Sequence, residues 1–314
     1  SIESLQVQRG VGTSTNGSGA FGASINILTD IVSDQPYAEL SSSFGSYNTL
    51  KNTIKFSTGK INDYFELSGR LSKIDSDGYV DRAYSDLKSY FIQGAYTNGS
   101  TLIKAISFGG HEKTYQAWDG LSMDQVLENR RQNPLTYENE IDNYKQDHYQ
   151  LHWNEKINNF WSFNLGLNYT YGRGYFEQYR EDDNIDTYGG IVSSDTNLNG
   201  EKTDTTDLIR RRWLDNDFYV FNSSLNFVKN KIDLTISSSY SSYVGDHFGE
   251  VIWARTFSSN GKIRDRYYEG LGEKKDLSFF TKLLYSIDEK IEFYSDLQYR
   301  NVNYNTSGTT SDLV

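Results

Sequence analysis

Apolar and polar side chains alternate with a period of two residues along much of this chain. From Trp161 to Tyr171 every odd position is aromatic or leucine, while the even positions are Ser, Asn, Gly or Thr. Successive residues of a β-strand point to opposite sides, so this pattern predicts strands with one apolar and one polar face. The fold must therefore keep the apolar faces of many strands away from water.

The same alternation predicts about eleven strands after Pro36. Short turns and longer connections follow each other along the chain, and the long connections are expected at 75–87, 114–143, 174–210 and 245–275. This layout is typical of outer-membrane barrels, which have short turns at one rim and long loops at the other. The predicted strands lie near 37–47, 50–59, 64–74, 88–97, 101–113, 144–156, 160–175, 211–228, 231–244, 276–287 and 290–305.

Two all-β folds fit alternating strands, a soluble sandwich and a transmembrane barrel. The apolar faces are bordered by aromatic residues, as on the strand from Trp161 to Tyr171, where aromatic residues lie at both ends and leucines in the middle, and aromatic girdles mark both edges of a membrane barrel. We therefore predict an all-β fold, a transmembrane antiparallel β-barrel. Bacterial single-chain barrels have an even number of strands, so we expect eleven strands to be the first part of a larger, 22-stranded barrel.

The composition narrows the classes of function. The chain has 314 residues, no cysteine, four histidines and a net charge of −11, with 15% aromatic residues. These values exclude disulfides and thiolate metal sites and argue against nucleic acid as a partner. His148 and His152 are four residues apart, but on a strand this spacing separates them by ~13 Å, too far for one metal ion. We expect no enzyme activity and no resident cofactor or metal.

The N-terminal segment is rich in glycine. Residues 10–22 include five glycines, counting Gly10 and Gly22 at the ends, interspersed with Ser, Thr and Ala, and alternating apolar residues flank them on both sides. Glycine allows positive φ angles and close approach of backbones. We predict a strand, compact turns and a second strand in this segment.

Two stretches here, IESLQVQRG from Ile2 and NGSGAFGASINI from Asn16, resemble the end of the plug domain of TonB-dependent outer-membrane receptors. Asp77-Gly78-Tyr79 also fits early barrel strands of that family. Arg9-Gly10-Val11 differs from the Lys-Asp-Ala run of the lipoprotein-lidded glycan importers, so the chain does not resemble that subgroup. The plug motif comprises Arg9, Gly10, Gly17, Gly19, Gly22 and Asn26.

The resemblance implies that residues 1–33 end a plug domain and residues 34–314 form the N-terminal half of the barrel. It further implies a Gram-negative outer-membrane receptor for a scarce nutrient, and we expect an iron–siderophore complex, so that iron arrives with the ligand. The implied partners are the inner-membrane TonB complex, acting through a plug segment outside this sequence, outer-membrane lipid and lipopolysaccharide, and in some receptors a surface lipoprotein. Arg9 is expected to pair with wall carboxylates such as Glu292 and Asp296.

Several loop residues are candidate contacts for a ligand or between loops. Aromatic rings can stack on flat ligands, and arginines can bind an anionic chelate or lipopolysaccharide phosphates. The acidic loop Asp182–Asp186 has only half of a calcium-loop pattern. The candidates are Tyr115, Trp118, Tyr175, Tyr179, Arg210, Arg211 and Arg212.

Other functions remain open on the sequence alone. The ligand could be haem, a vitamin or a glycan. A passive porin or an adhesin barrel would share the strand pattern, although the Gly10–Ile27 segment argues against it. A soluble glycan-binding protein or glycosidase would need two carboxylates at a fixed separation, and no motif in the chain fixes such a pair.

Overall fold

The computed structural model describes residues 2–10, 12–16, 22–29, 32–196 and 200–310. They include one short helix, α1 (Met123–Glu128), and two 3₁₀ turns at Ser14–Asn16 and Ile185–Tyr188. No helix within these ranges is long and apolar enough to cross a bilayer. The strands are β1 (Ile2–Arg9), β2 (Ala23–Thr29), β3 (Pro36–Gly45), β4 (Thr49–Thr58), β5 (Phe65–Ser76), β6 (Ser85–Thr97), β7 (Thr101–Tyr115), β8 (Ile141–Lys156), β9 (Trp161–Asn184), β10 (Thr205–Lys229), β11 (Ile232–Ala254), β12 (Arg266–Ser286) and β13 (Glu292–Gly308).

The strands form two antiparallel sheets. β1 and β2 make a separate two-stranded sheet, and β3 to β13 make one sheet of eleven strands in chain order, with β3 and β13 at its edges. Each strand therefore pairs with its neighbours in sequence through a hairpin connection. The all-β prediction and all eleven predicted strands of the large sheet are confirmed.

The large sheet has an apolar face that no second layer covers within the described residues. Leu71, Phe279 and Leu297 on this face are 52%, 48% and 70% exposed. Register places apolar residues side by side, as in the row Leu151, Leu167 and Phe221 across β8, β9 and β10. An exposed apolar area of this extent marks a surface that meets lipid or protein, and it excludes the sandwich, in which this face would be buried between sheets.

The N-terminal segment lies against the polar face of the large sheet. Ser14 donates its backbone N–H to Asp296 on β13 over 3.1 Å. Ser33 donates its backbone N–H to Glu66 on β5, a buried carboxylate that also accepts a 2.8 Å hydrogen bond from Ser57. Polar contacts at two places on the sheet thus hold this segment on the side opposite the apolar face.

The strands extend further toward the long loops than the sequence predicts. β9 continues to Asn184 and β11 to Ala254, while β10 begins at Thr205 and β12 at Arg266, so the predicted loops 174–210 and 245–275 were too long. β10 has 25 residues, whereas a transmembrane strand needs only about 9–11. Beyond the apolar band both faces carry polar and aromatic residues, and the period-two pattern that marks a strand is lost there.

Two loops between β9 and β12 pack on a small apolar core. The connections 185–204 and 255–265 contribute residues to a cluster with the outer ends of the strands. The buried members are Tyr188, Ile191, Val192, Leu208, Val251, Ala254 and Tyr267.

Two other loops are joined mainly by hydrogen bonds. Arg82, in the connection 77–84, donates to the carbonyl oxygens of Asn133 and Leu135 in the connection 116–140. Asn133 in turn donates to the carbonyl oxygens of Asp81 and Gln116. Arg82 has φ of 66°, a left-handed conformation that is unfavourable for a residue other than glycine, and its bonds to the second loop offset that cost.

Candidate ligand-binding site

The three consecutive arginines at the outer part of β10 have three different environments. Arg210 is mostly buried, 3.8 Å from Asp183 and hydrogen-bonded to the Tyr188 hydroxyl at 3.0 Å. Arg211 points to the opposite face, because side chains alternate on a strand, and it forms a 2.7 Å ion pair with Glu177. Both side chains therefore hold strands and loops together.

Arg212 lies on the polar face between two aromatic rings. Its guanidinium carbon is 5.7 Å from the centre of the Phe176 ring and 5.6 Å from that of Tyr268. Cation–π contacts at these distances hold a guanidinium in place without neutralising it. Among the described residues no carboxylate forms an ion pair with Arg212, so it retains a net positive charge at this surface.

Arg212 borders a concavity of about 680 Å³ on the polar face of β9 to β13. Small-molecule pockets commonly measure 300–1,000 Å³. Besides Arg212, its polar-face lining includes Phe176, Tyr243, His247, Tyr268 and Tyr304. The site thus presents one fixed cation, aromatic rings and several hydrogen-bonding groups.

Glycines on the polar face leave room for the concavity. Gly245, Gly270 and Gly272 lie on β11 and β12 where other strand positions carry side chains. The Tyr243 ring lies over Gly245, and its hydroxyl donates a 2.7 Å hydrogen bond to Asn216. A β-carbon at Gly245 would lie 2.3 Å from that hydroxyl oxygen, so glycine is required for this arrangement of the tyrosine.

The predicted aromatic residues lie around the site rather than in it. Tyr115 is buried and donates to the carbonyl oxygens of Leu135 and Tyr137 in the loop 116–140. Tyr179 donates to Asp207 at 2.9 Å. These two residues organise loops.

The other two predicted aromatic residues are near pocket residues. Trp118 is exposed and packs edge-on against Phe176, with ring centres 5.4 Å apart. Tyr175 lies on the opposite face beneath Arg211, at 4.3 Å from the ring centre. Of the seven predicted contact residues, Arg212 lines the concavity, and Trp118 contacts Phe176, which also lines it.

The N-terminal residues of the predicted plug motif lie at the β1–β2 sheet. Gly10 has φ of 89° and donates a 2.8 Å hydrogen bond to the carbonyl of Gly22, which extends the pairing of β1 and β2. Asn26 pairs with Gln6 in the register of the two strands. Gly17 and Gly19 lie outside the described residues.

Arg9 is exposed, and no ion pair joins it to Glu292 or Asp296 within the described part of the chain. Asp296 is nevertheless the wall carboxylate that receives the N-terminal segment, through Ser14. The expected contact between this segment and the wall is present, but Ser14 supplies it in place of the expected arginine. A short polar side chain can dock there without the cost of burying a charge.

Sequence reasoning did not identify Tyr243, His247, Tyr268 and Tyr304 as parts of one site. Tyr268 and His247 fell in the predicted loop 245–275, so no strand register could place them. The sequence did contain a signal for part of the site, because Tyr243, Gly245 and His247 occupy alternate positions and continue the polar face of β11.

Burial shifts the acidity of two groups near the loops. The pKa of Tyr267 is raised to about 12 by burial, against the opposing influence of Arg210 and Arg212, so its hydroxyl stays protonated. Burial also raises the pKa of Glu140 to about 7, and the backbone N–H of Tyr179 partly opposes this shift. Glu140 lies at the end of the loop 116–140, beside β9.

No protein-family model matches the chain, and no curated protein sequence is significantly similar to it. Solved structures with a similar fold do exist. The open form of the ferric-catecholate import receptor Fiu from E. coli K12 has a TM-score of 0.72 at 12% identity, covering 98% of this chain and 50% of the receptor.

The ferripyoverdine receptor of the Pseudomonas aeruginosa outer membrane has a TM-score of 0.68 at 12% identity, covering 97% of this chain and 42% of the receptor. BauA, the ferric preacinetobactin receptor of Acinetobacter baumannii, has a TM-score of 0.65 at 10% identity over 96% and 47%. All three proteins are receptors for ferric chelates. The chain has the fold of outer-membrane ferric-chelate receptors and spans about half of their length.

Proposed function

We propose that this protein is a TonB-dependent outer-membrane receptor that imports an anionic iron–siderophore complex. The observation that carries the proposal is Arg212, a cation without a carboxylate partner among the described residues, held between Phe176 and Tyr268 at a concavity on the polar face. The exposed apolar face supports a membrane location. The fold of ferric-chelate receptors supports transport.

The chemistry of the site suits a ferric chelate with negative charge. A guanidinium forms strong charge-assisted hydrogen bonds with carboxylate or phenolate oxygens. Tyrosine rings offer flat surfaces with polar edges, and the site holds Tyr243, Tyr268 and Tyr304. The ligand supplies the iron, so the protein needs to recognise the organic shell and its charge and performs no bond-making step.

The proposal also includes a domain division, a barrel size and a membrane location for the chain. Residues 1–33 would be the end of a plug and residues 34–314 the first half of a 22-stranded barrel in a Gram-negative outer membrane. The contacts of Ser14 and Ser33 with the polar face support a plug that sits against the wall. TonB would act through a plug segment outside this sequence, and no lipoprotein lid is required.

The test is to replace Arg212 by Gln and to measure binding of a panel of iron chelates to the full-length protein in detergent. Loss of hydrogen bonds to a charged group should weaken binding of the anionic ligand about tenfold or more. Arg264→Gln is the matched control, since Arg264 is an exposed arginine in the loop 255–265. Haem, a vitamin and a neutral glycan belong in the panel.

Two results would reject the proposal. One is unchanged affinity of the Arg212→Gln variant for every anionic chelate that the wild type binds. The other is binding of only a neutral glycan or vitamin, which would assign the receptor to a different nutrient. Growth of a deletion strain on the same iron sources, complemented by each variant, tests whether binding leads to uptake.

A further inference from the structure

A half-buried carboxylate lies beside the candidate site. Asp142 is at the outer end of β8, on the polar face, and pairs directly with Phe176 of β9. Phe176 in turn pairs directly with Arg212 of β10. The three residues therefore occupy one cross-strand row, with the carboxylate and the guanidinium on either side of the aromatic ring.

The Asp142 carboxylate receives neither a hydrogen bond nor an ion pair from the described residues. The charged residue that acts on it most, Glu112 of β7, is also acidic. Burial, and after it the repulsion from Glu112, raises the pKa of Asp142 to about 6. The carboxylate is therefore ionised at neutral pH, although its surroundings favour the neutral form.

Other carboxylates at the outer ends of the neighbouring strands are paired with arginines. The paired carboxylates are Glu177 with Arg211, Asp183 with Arg210 and Asp207 with Arg255. A carboxylate that is partly desolvated and unpaired costs free energy, and such groups occur preferentially at functional sites. Because the carboxylate of Asp142 accepts no hydrogen bond, holding the adjacent loop 116–140 in place does not explain it.

Aromatic rings next to Asp142 suit a cationic group. The Phe176 ring is its direct neighbour across the strands, and Trp118, which is 54% exposed, packs edge-on against that ring. The face of an aromatic ring attracts a cation, and ammonium ligands are commonly recognised by aromatic side chains. A carboxylate beside these rings adds the opposite charge that an ammonium group requires.

The row also sets the spacing of the two charges. Asp142 and Arg212 are two strands apart, so their Cα atoms are separated by roughly 10 Å at about 4.8 Å per strand. A ligand that reaches both must carry an anionic and a cationic group about this far apart, with the part between them on Phe176. A ligand with negative charge alone would be repelled by Asp142, and such repulsion is a source of specificity.

We infer that Asp142 binds an ammonium group of the imported chelate, whose anionic oxygens bind Arg212. The inference rests on the proposed function, because it names a second group of the same ligand. An ammonium group has three donors and forms strong charge-assisted hydrogen bonds with a carboxylate. A bound metal ion fits less well, since the described residues contain no group of three or more side chains that could hold one.

The test compares two ferric probes that differ in one group. One is the ferric complex of dihydroxybenzoyl-lysine with a free side-chain ammonium, and the other is the same complex with that nitrogen acetylated. Binding to the full-length protein in detergent is measured at neutral pH for the wild type, for Asp142→Asn and for the control Asp124→Asn, an exposed acid in α1 of the loop 116–140. We expect the wild type and the control to prefer the ammonium probe about tenfold and Asp142→Asn to bind both probes equally.

Three results would overturn the inference. They are a wild type that does not prefer the ammonium probe, a preference that Asp142→Asn retains, and an equal loss of affinity for both probes in Asp142→Asn, which would indicate a structural role.

The Arg212→Gln variant separates this inference from the proposed function. It should bind both probes more weakly by the same factor and keep the preference for the ammonium probe. Unchanged binding of both probes by Arg212→Gln would count against the proposed function, whereas loss of the preference in Asp142→Asn alone supports the role of Asp142.

Discussion

The two loop assemblies at the outer end of the sheet are both joined by hydrogen bonds, but the assembly of 185–204 and 255–265 also has a buried apolar core. The loops 185–204 and 255–265 share a buried apolar core that includes Tyr188, Leu208 and Val251. The loops 77–84 and 116–140 share hydrogen bonds from Arg82 and Asn133. Apolar burial is non-directional, whereas a hydrogen bond requires a defined geometry. The first assembly should therefore resist local opening more strongly than the second.

The largest expected effect tests the apolar assembly. Leu208 is fully buried, and its replacement by Ala should lower the local free energy of unfolding by about 3 kcal/mol through lost burial and a cavity. Hydrogen exchange in 185–204 and 255–265 should accelerate about a hundredfold, with no change in 116–140. Leu214→Ala on the same strand, at an exposed position, is the control. Equal acceleration in both variants would contradict the assignment of the core.

A smaller effect is expected in the hydrogen-bonded assembly. Arg82→Ala removes the donors to Asn133 and Leu135, and each bond from a charged group contributes about 1.5–3 kcal/mol. Arg82 is exposed, so water replaces part of the lost hydrogen bonding, and we expect a net loss of about 2 kcal/mol. Exchange should rise in 116–140 only, whereas Arg130→Ala in the same loop should leave it unchanged.

The smallest effect depends on pH. Burial raises the pKa of Glu140 from 4.5 to about 7, so its protonated form stabilises the fold. This stability is fully present below about pH 4.5 and is lost as pH rises through about 7. The difference should be on the order of 1 kcal/mol, because the loop can relax and let water solvate the charged carboxylate.

The measurement compares intrinsic-rate-corrected exchange in 116–140 at pH 5 and pH 8. Glu140→Gln should remove most of the difference, with a remainder from Asp142, whose pKa burial raises to about 6. Glu138→Gln, two residues away, should retain it. The prediction is wrong if the loop becomes more protected at pH 8. A pH effect in 185–204 of the same size would show that the two assemblies are coupled.

The sequence predicted the strands of the apolar band, where the need for one apolar face determines the residue pattern. In the apolar band each strand must present one apolar face, so residues such as Leu165 and Leu167 alternate with polar ones and reveal strand, face and register. Above that band water contacts both faces and this requirement ends, so β9 to β12 were predicted six to ten residues too short at their outer ends. The same loss of pattern concealed the candidate site, since Tyr268 and His247 lie in these extensions.

Neighbouring residues of one type can also have different roles that no local pattern distinguishes. The run Arg210–Arg212 was predicted as one basic patch. The structure separates it into a buried arginine beside Asp183, an ion pair with Glu177 on the other face, and one arginine that faces the concavity. Strand alternation predicts that Arg211 differs from its neighbours. The difference between Arg210 and Arg212 depends on the loop that supplies Tyr188.

β10 is longer than a strand needs to be to cross a bilayer, so its lower and upper parts can have different roles. About 11 of its 25 residues suffice to cross a bilayer, and the rest form a paired ribbon above it. If the proposed function holds, changes in the upper part would alter which ligand is captured without affecting how the lower part crosses the bilayer. New specificities could therefore arise, or be engineered, by exchanging upper segments between receptors while the lower segments stay constant.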